Sequence, residues 1–235
     1  MADCATILCA LEFEQRHLTA RLDRVGVSVQ VTGPGPTAVE RFLGDMKDPI
    51  DSPVILAGVC GGLHETMKPG QAYVAMRVVN ARGGHWTTNW PPSDAHQTAG
   101  MQMVTVLGAD SPLATASSKQ RARNESRADV VDTESHGLAA WAGSKDHGRA
   151  IRWGVVRGVV DAHDEPLPAG CERWVSADGR LIPYRVALDL VTHPLSWLHV
   201  ARLRTQATQA LDAVADLILS LLKHDGSGGD DDDDT

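Results

Sequence analysis

Val130 to Ala139 reads VVDTESHGLA, and Val155 to Pro168 reads VVRGVVDAHDEPLP. Each is a β-branched run that ends on acidic residues, and the first opens at once into a helical pattern. In an α/β protein with parallel strands, ligands bind in the crevice outside the carboxyl ends of those strands. Glu134 and Asp161 are therefore expected at the ends of two adjacent strands, facing one crevice. The remainder of the chain is read outward from that pair.

Strand-like and helical stretches alternate on both sides of it. Ala5 to Leu11 is a compact apolar run, and Glu12 to Leu22 reads as a helix with Leu18 and Leu22 four apart. Val25 to Thr32 alternates like a half-buried strand, Thr37 to Met46 is helical, and Pro53 to Val59 is a buried strand leading into Cys60-Gly61-Gly62. Pro69-Gly70 marks a turn before the valine-rich strand Gln71 to Asn80. Arg82 to Gly100 is a long loop carrying Trp86 and Trp90, which would rim a pocket, meet another subunit or pack as loop residues. Met101 to Leu107 is strand-like, and Ser117 to Ser126 reads as a surface helix that exposes Lys119, Arg121 and Arg123. A helix is expected over about Glu134 to Lys145, irregular chain over Pro166 to Leu181, and closing helices over Pro183 to Val191 and Ser196 to Lys223. The last carries Leu211, Val214, Ala215 and Ile218 along one stripe. This order predicts an α/β fold with a largely parallel or mixed sheet.

Composition narrows the function classes. The 235 residues suit one α/β domain over residues 1–224, followed by a disordered acidic tail at 225–235. The net charge of −8 owes much to Asp230 through Asp234, and the body carries no basic stripe, which argues against a nucleic-acid partner. No apolar run reaches membrane-spanning length, because Asp212 and Asp216 interrupt Leu211 to Leu222. Cys4, Cys9, Cys60 and Cys171 are scattered without paired or metal-ligand spacing, as expected of reduced thiols in a cytosolic protein that holds no metal.

Gly33-Pro34-Gly35-Pro36-Thr37-Ala38 matches the dinucleotide fingerprint in outline. Pro34 and Pro36 each delete a backbone N–H of the kind that holds a pyrophosphate, so a tight turn into a helix, lining a pocket at most, is the better reading. Val59-Cys60-Gly61-Gly62-Leu63 is a glycine loop after a buried strand, suited to close backbone approach by a ligand or to a simple turn. No G-x-S-x-G, H-E-x-x-H or P-loop is present. On local grounds alone, Glu134 suits a helix N-terminus, and Asp161 suits a strand-end cap or a salt bridge to Arg157.

Four blocks taken together resemble the nucleoside phosphorylase/nucleosidase superfamily. Asp132-Thr133-Glu134-Ser135 looks like its V-D/E-M-E-S/A motif, and Arg157-Gly158-Val159-Val160-Asp161 its R-x-I-S-D. Gly58-Val59-Cys60-Gly61-Gly62-Leu63, with Lys68-Pro69-Gly70-Gln71 after it, is similar to G-x-A-G-G-L and the following K/R-x-G-D turn. Ala10-Leu11-Glu12-Phe13-Glu14 resembles the A-M-E-x-E of methylthioadenosine/S-adenosylhomocysteine nucleosidases. The blocks fall in family order between Ile7 and Pro168.

The resemblance implies a three-layer α/β/α sandwich around a central mixed sheet and cleavage of a purine nucleoside's N-glycosidic bond without a cofactor. By the same resemblance Asp161 protonates the purine at N7, Glu134 accepts from the ribose hydroxyls, and Glu14 activates a water. Cys60 and Gly61 would border ribose and base. Thr133 stands where the family has a methionine packed on the ribose, and Val160 where a serine orients the aspartate. No counterpart of the family's base-stacking phenylalanine occurs in Gly108 to Ser118. Arg157 would brace the acidic cluster. Three readings stay open: a hydrolase acting on a 5′-modified adenosine, a phosphorylase acting on such a nucleoside (adenosylhopane, for instance) with Arg16 at the phosphate, and a nucleoside-binding module without catalysis. A homodimer or higher oligomer is the family's implication.

Overall fold

A computed structural model describes residues 4–46, 52–91, 101–144, 151–168, 170–183, 185–186 and 196–226. Eight strands form one mixed sheet: β1 (Ala5–Cys9), β2 (Val27–Val31), β3 (Val54–Gly62), β4 (Ala72–Asn80), β5 (His85–Thr87), β6 (Met103–Gly108), β7 (Val130–Asp132) and β8 (Trp153–Asp161). Among the described residues five α-helices are complete enough to name: α1 (Glu12–Leu22), α2 (Pro36–Gly44), α3 (Ala116–Ser126), α4 (Ser135–Ala142) and α5 (Ser196–Gly226).

Successive strand residues point to opposite faces, and the chain uses this to build two cores. On one face Leu8, Leu56 and Val155 pack with Val39 and Leu43 of α2 and Leu138 of α4. On the other, Ile7, Ile55 and Val156 pack with Leu18 and Leu22 of α1 and with Leu211, Val214 and Ile218 of α5. The expected three α/β/α layers are therefore present, with the expected α5 stripe turned inward.

The sheet runs β2-β1-β3-β7-β6-β4-β5, and β8 pairs with both β3 and β4. Strands β3, β8, β4, β6 and β7 consequently close a ring, with β7 returning to the end of β3. This corrects one expectation. Glu134 and Asp161 do not follow adjacent strands, because β3 lies between β7 and β8. The three-residue β7 pairs parallel with β6 and antiparallel with the tip of β3, through Gly61↔Val131 and Gly62↔Val130. The body of β3 runs parallel to β8 as far as Cys60↔Val159, and after an irregularity Gly61 meets Asp161.

Further differences concern local burial. Lys119 was expected on a solvated face of α3, yet it is 1 % exposed; Arg123 is half-buried and Arg121 is exposed. The Trp86 region is not plain loop, since His85–Thr87 pairs with β4. Trp86 packs on the first core and Trp90 is fully buried in the second. The rest of that loop, residues 92–100, most of the helix expected over Pro183 to Val191 and the tail beyond Gly226 lie outside the described residues. No described helix is long and apolar enough to cross a membrane.

Helix α5 seats directly on β8 at Gly158. A Cβ there would come within 2.6 Å of the Ala210 carbonyl oxygen, a backbone atom with little freedom to move. Gly158→Ala is expected to lower folding stability by about 1–3 kcal/mol, the usual range for overpacking. Urea denaturation checks this, and an unchanged midpoint would show that α5 tolerates displacement.

Candidate active site

A pocket of about 450 Å³ opens where the ends of β1, β3, β7 and β8 converge. Its size suits a small organic ligand. Antiparallel crossing of β7 over the tip of β3 sets its layout. Asp161 lies level with Gly61, whereas the chain after β7 runs back along β3 toward Gly58 and Val59. Three residues of strand separate these levels, roughly 10 Å. The pocket thus carries carboxylates at two levels along β3, the first near its Gly58 and the other, the outer one, at its tip.

The deeper level is built around Arg157, which faces Gly58 in the β3–β8 register and is 1 % exposed. Its Nε donates to Asp132 Oδ2 at 2.7 Å, and its Nη2 donates to Glu134 Oε2 at 3.3 Å. Nη2 also lies 2.5 Å from Asp132 Oδ2. Asp132 in turn accepts from the Ser135 backbone N–H and hydroxyl, so it takes the capping work at the start of α4. Glu134 occupies the N-cap position but makes no side-chain cap. Its carboxylate instead accepts from the Gly35 N–H at 3.0 Å, from the Thr133 hydroxyl and from Arg157. The two prolines leave this Gly-Pro-Gly-Pro turn only the N–H groups of Gly33 and Gly35, and the second of them is given to Glu134. This turn carries no dinucleotide fingerprint; it ties β2 to Glu134.

Glu14, in the first turn of α1, reaches the same level. Its Oε1 accepts from Val59 N–H at 2.8 Å and its Oε2 from Leu11 N–H at 3.0 Å. Gly58 makes room: a Cβ there would sit 2.5 Å from Glu14 Oε1 and 2.9 Å from Arg157 Nη1. Glu14 is 1 % exposed. Burial pushes its carboxyl up to about 7, against the pull of the Arg157 charge and the Val59 N–H, while Glu134 adds repulsion. The same buried carboxylates hold Arg157 firmly protonated, overriding its own desolvation.

Asp161 stands at the outer level. Among the described residues its side-chain partner is Lys119, whose Nζ donates to Asp161 Oδ2, to Ala162 O at 2.6 Å and to Glu165 O at 2.8 Å. Arg157 makes no ion pair with it; that guanidinium is committed to Asp132 and Glu134. Burial raises the Asp161 carboxyl above its ordinary range, and the Lys119 charge opposes the rise.

The structure brings Glu14, Glu134, Asp161, Cys60, Gly61, Thr133 and Val160 to one pocket. Reasoning from sequence missed its apolar walls, Pro112, Leu113, Leu167, Cys171 and Val175, as well as Lys119 beneath Asp161. The walls come from stretches with no regular period. Lys119 had a readable signal, because it shares the inward stripe of α3 with the small residues Ala116, Ala122 and Ser126. None of the four cysteines forms a disulfide; burial raises Cys9 and Cys60 and pushes Cys171 up to about 11, so these three thiols stay protonated. Among the described residues no cluster of His, Cys, Asp or Glu is arranged to hold a metal ion.

No model of a known protein family matches this sequence, and no curated protein does. Solved structures do match its fold. The futalosine hydrolase of Helicobacter pylori strain 26695 superposes with a TM-score of 0.67 at 13% identity, over 95% of this chain and 99% of that one. A 5′-methylthioadenosine/S-adenosylhomocysteine nucleosidase of Helicobacter pylori, crystallised with a pyrrolidine-based ligand, gives the same TM-score, identity and coverage. The nucleosidase of Colwellia psychrerythraea in complex with adenine gives 0.66 at 14% identity, over 95% of this chain and 96% of that one. The fold is that of these nucleosidases, as the four sequence blocks implied.

The raised Glu14 carboxyl makes folding stability depend on pH. Its folded value of about 7 exceeds the ordinary 4.5, so the folded chain holds this proton more tightly. The associated stability is complete below pH 4.5 and is lost as pH rises through about 7. Glu14→Gln, neutral at every pH, is expected to gain on the wild type across that window in denaturant titrations. A wild type that instead gains on the variant with rising pH would show that Glu14 is comfortably ionised.

Proposed function

We propose that this protein hydrolyses the N-glycosidic bond of a purine nucleoside, of adenosine type with a modified 5′ position. The observation that carries the reading is the two-level arrangement of carboxylates across one pocket. Cleaving this bond requires positive charge to build on the sugar while a proton reaches the departing base and a nucleophile approaches the other ring face. Asp161 at the outer level is the group that hands a proton to the base at N7. Glu134, on the deeper level, accepts from the ribose hydroxyls and stabilises the developing charge. Its Oε2 has one protein donor and so retains acceptor capacity. Glu14 holds and deprotonates the water, and a carboxyl near 7 is well poised for a base at neutral pH.

Water is favoured over phosphate by the pocket's charge. Glu14, Asp110, Asp132, Glu134, Asp161 and Glu172 line it, and no lysine or arginine does among the described residues. A phosphate site needs the reverse, arginines or a dense set of donors. Arg16 does not supply it, being 76% exposed and paired with Glu12 at 2.8 Å. The adenosine-type base and the 5′ modification rest on the sequence blocks, and on adenine and 5′-thio ligands in the nucleosidases of the same fold. The apolar walls at Pro112, Leu113, Leu167 and Val175 suit a purine face or an apolar 5′ substituent.

Free adenine released from 5′-methylthioadenosine and S-adenosylhomocysteine, with and without phosphate, tests the reading. Release is expected in phosphate-free buffer. Asp161→Asn and Glu134→Gln should each reduce it by about 10²–10⁴-fold without altering the circular dichroism spectrum. The rate should rise with pH through about 7 as Glu14 ionises. Strict phosphate dependence would instead identify a phosphorylase, and tight binding of adenosine analogues without cleavage a binding module.

A further inference from the structure

Lys119 is buried to the same degree as Arg157, yet it belongs to none of the sequence blocks and comes from a helix that is otherwise polar. An ammonium is tolerated in a dry site only when its donors are satisfied, and the three donors of Lys119 meet the Asp161 carboxylate and two carbonyl oxygens. Those carbonyls belong to Ala162 and Glu165, in the turn directly after Asp161, so the ammonium also fixes the backbone that carries the aspartate. The Glu165 side chain closes the same turn by accepting from Ala162 N–H at 3.1 Å. The Lys119 charge draws Asp161 toward its carboxylate form, against the burial that raises it. A carboxylate has no proton to give to a leaving base, but its ammonium partner does.

We propose that Lys119 is the proton source for the leaving base and that Asp161 relays its proton. This inference rests on the nucleosidase reading of the pocket. As the glycosidic bond breaks, its electron pair goes to the base. An Nζ–H bond of Lys119 breaks, its proton passes to Asp161, and the proton of Asp161 forms the new N–H bond of the base. Lys119 is left as a neutral amine and Asp161 as a carboxylate. The attacking water bonds to the sugar carbon and gives its proton to Glu14. When the base departs, Lys119 regains a proton through Asp161, and Glu14 releases its own to solvent. Lys119 acts through Asp161 and touches no substrate atom. The other ionisable groups that Asp161 senses are Glu165, which raises it, and His199, which lowers it.

Lys119→Arg and Lys119→Met separate proton supply from charge and from packing. Arginine keeps the positive charge beside Asp161 but does not surrender its proton in a protein. Two substrates are compared, a purine nucleoside and 4-nitrophenyl riboside, whose leaving group departs as an anion without being protonated. Lys119→Arg is expected to lose purine release by about 100-fold or more, while nitrophenol release stays within a few-fold of wild type; Lys119→Met, which frees buried Asp161 to keep a proton of its own, is expected to lose less. Purine release at the wild-type rate in Lys119→Arg would overturn the proposal and leave Lys119 a charge partner alone. Parallel loss on both substrates, or misfolding of both variants by circular dichroism, would assign it a structural role instead. A wild type that cleaves neither substrate would fail the nucleosidase reading itself, an outcome distinct from failure of the Lys119 variants.

Discussion

A single guanidinium, buried in the middle of the sheet, sets the terms for everything around it. Arg157 comes from a strand whose neighbours are otherwise apolar, and its charge is compensated by Asp132 and Glu134 from the far side of β3. Removing one partner of such a buried group leaves an uncompensated charge, commonly a loss of about 3–5 kcal/mol. The constraint reaches into the fold. β7 must cross the tip of β3 so that its chain returns to the level of Arg157, and Gly58 must lack a side chain so that Arg157 Nη1 and Glu14 can approach the strand. Three carboxylates around one cation leave an excess of negative charge, and burial resolves it by keeping a proton on Glu14 until the pH nears 7. The base role proposed for Glu14 thus rests on its burial, which the Arg157 charge opposes.

The outer level repeats the pattern with different members. Asp161 is neutralised by Lys119 rather than by an arginine, and the difference is chemical as well as geometric. An arginine holds its proton under all ordinary conditions, whereas a lysine can release one. The deeper cation is therefore fit to fix the position of Glu134, and the outer one to take part in proton movement.

Much of this was legible in the sequence. Strand and helix periods and turn residues carried the α/β class, and the family resemblance of the four blocks carried the layer order. The acidic ends of the two focal strands placed Glu134 and Asp161 at one crevice, and both line the pocket. Their adjacency was misjudged because pairing between distant strands leaves no local trace; a three-residue strand can join either neighbour, and only the closure of the ring decides. Lys119 was misread because a lysine among polar residues on a short helix ordinarily faces water, and its burial depends on a carboxylate 42 positions away. The pocket walls at Leu113, Leu167 and Val175 were invisible for a plainer reason. They stand on irregular chain, where no period separates inside from outside. The stretch Gly33 to Pro36 reads as a turn from sequence, but the partner of its Gly35 N–H is set only by the strand order that brings Glu134 to the end of β2.

The central claim is that the carboxylates around this pocket direct water, not phosphate, at the sugar of a nucleoside. It is tested most directly by running the reaction in ¹⁸O-labelled water with phosphate present and examining the sugar product by mass spectrometry. The account predicts free ribose or a 5′-modified ribose with one labelled oxygen at its anomeric carbon, and no sugar phosphate. An unlabelled sugar 1-phosphate would contradict it.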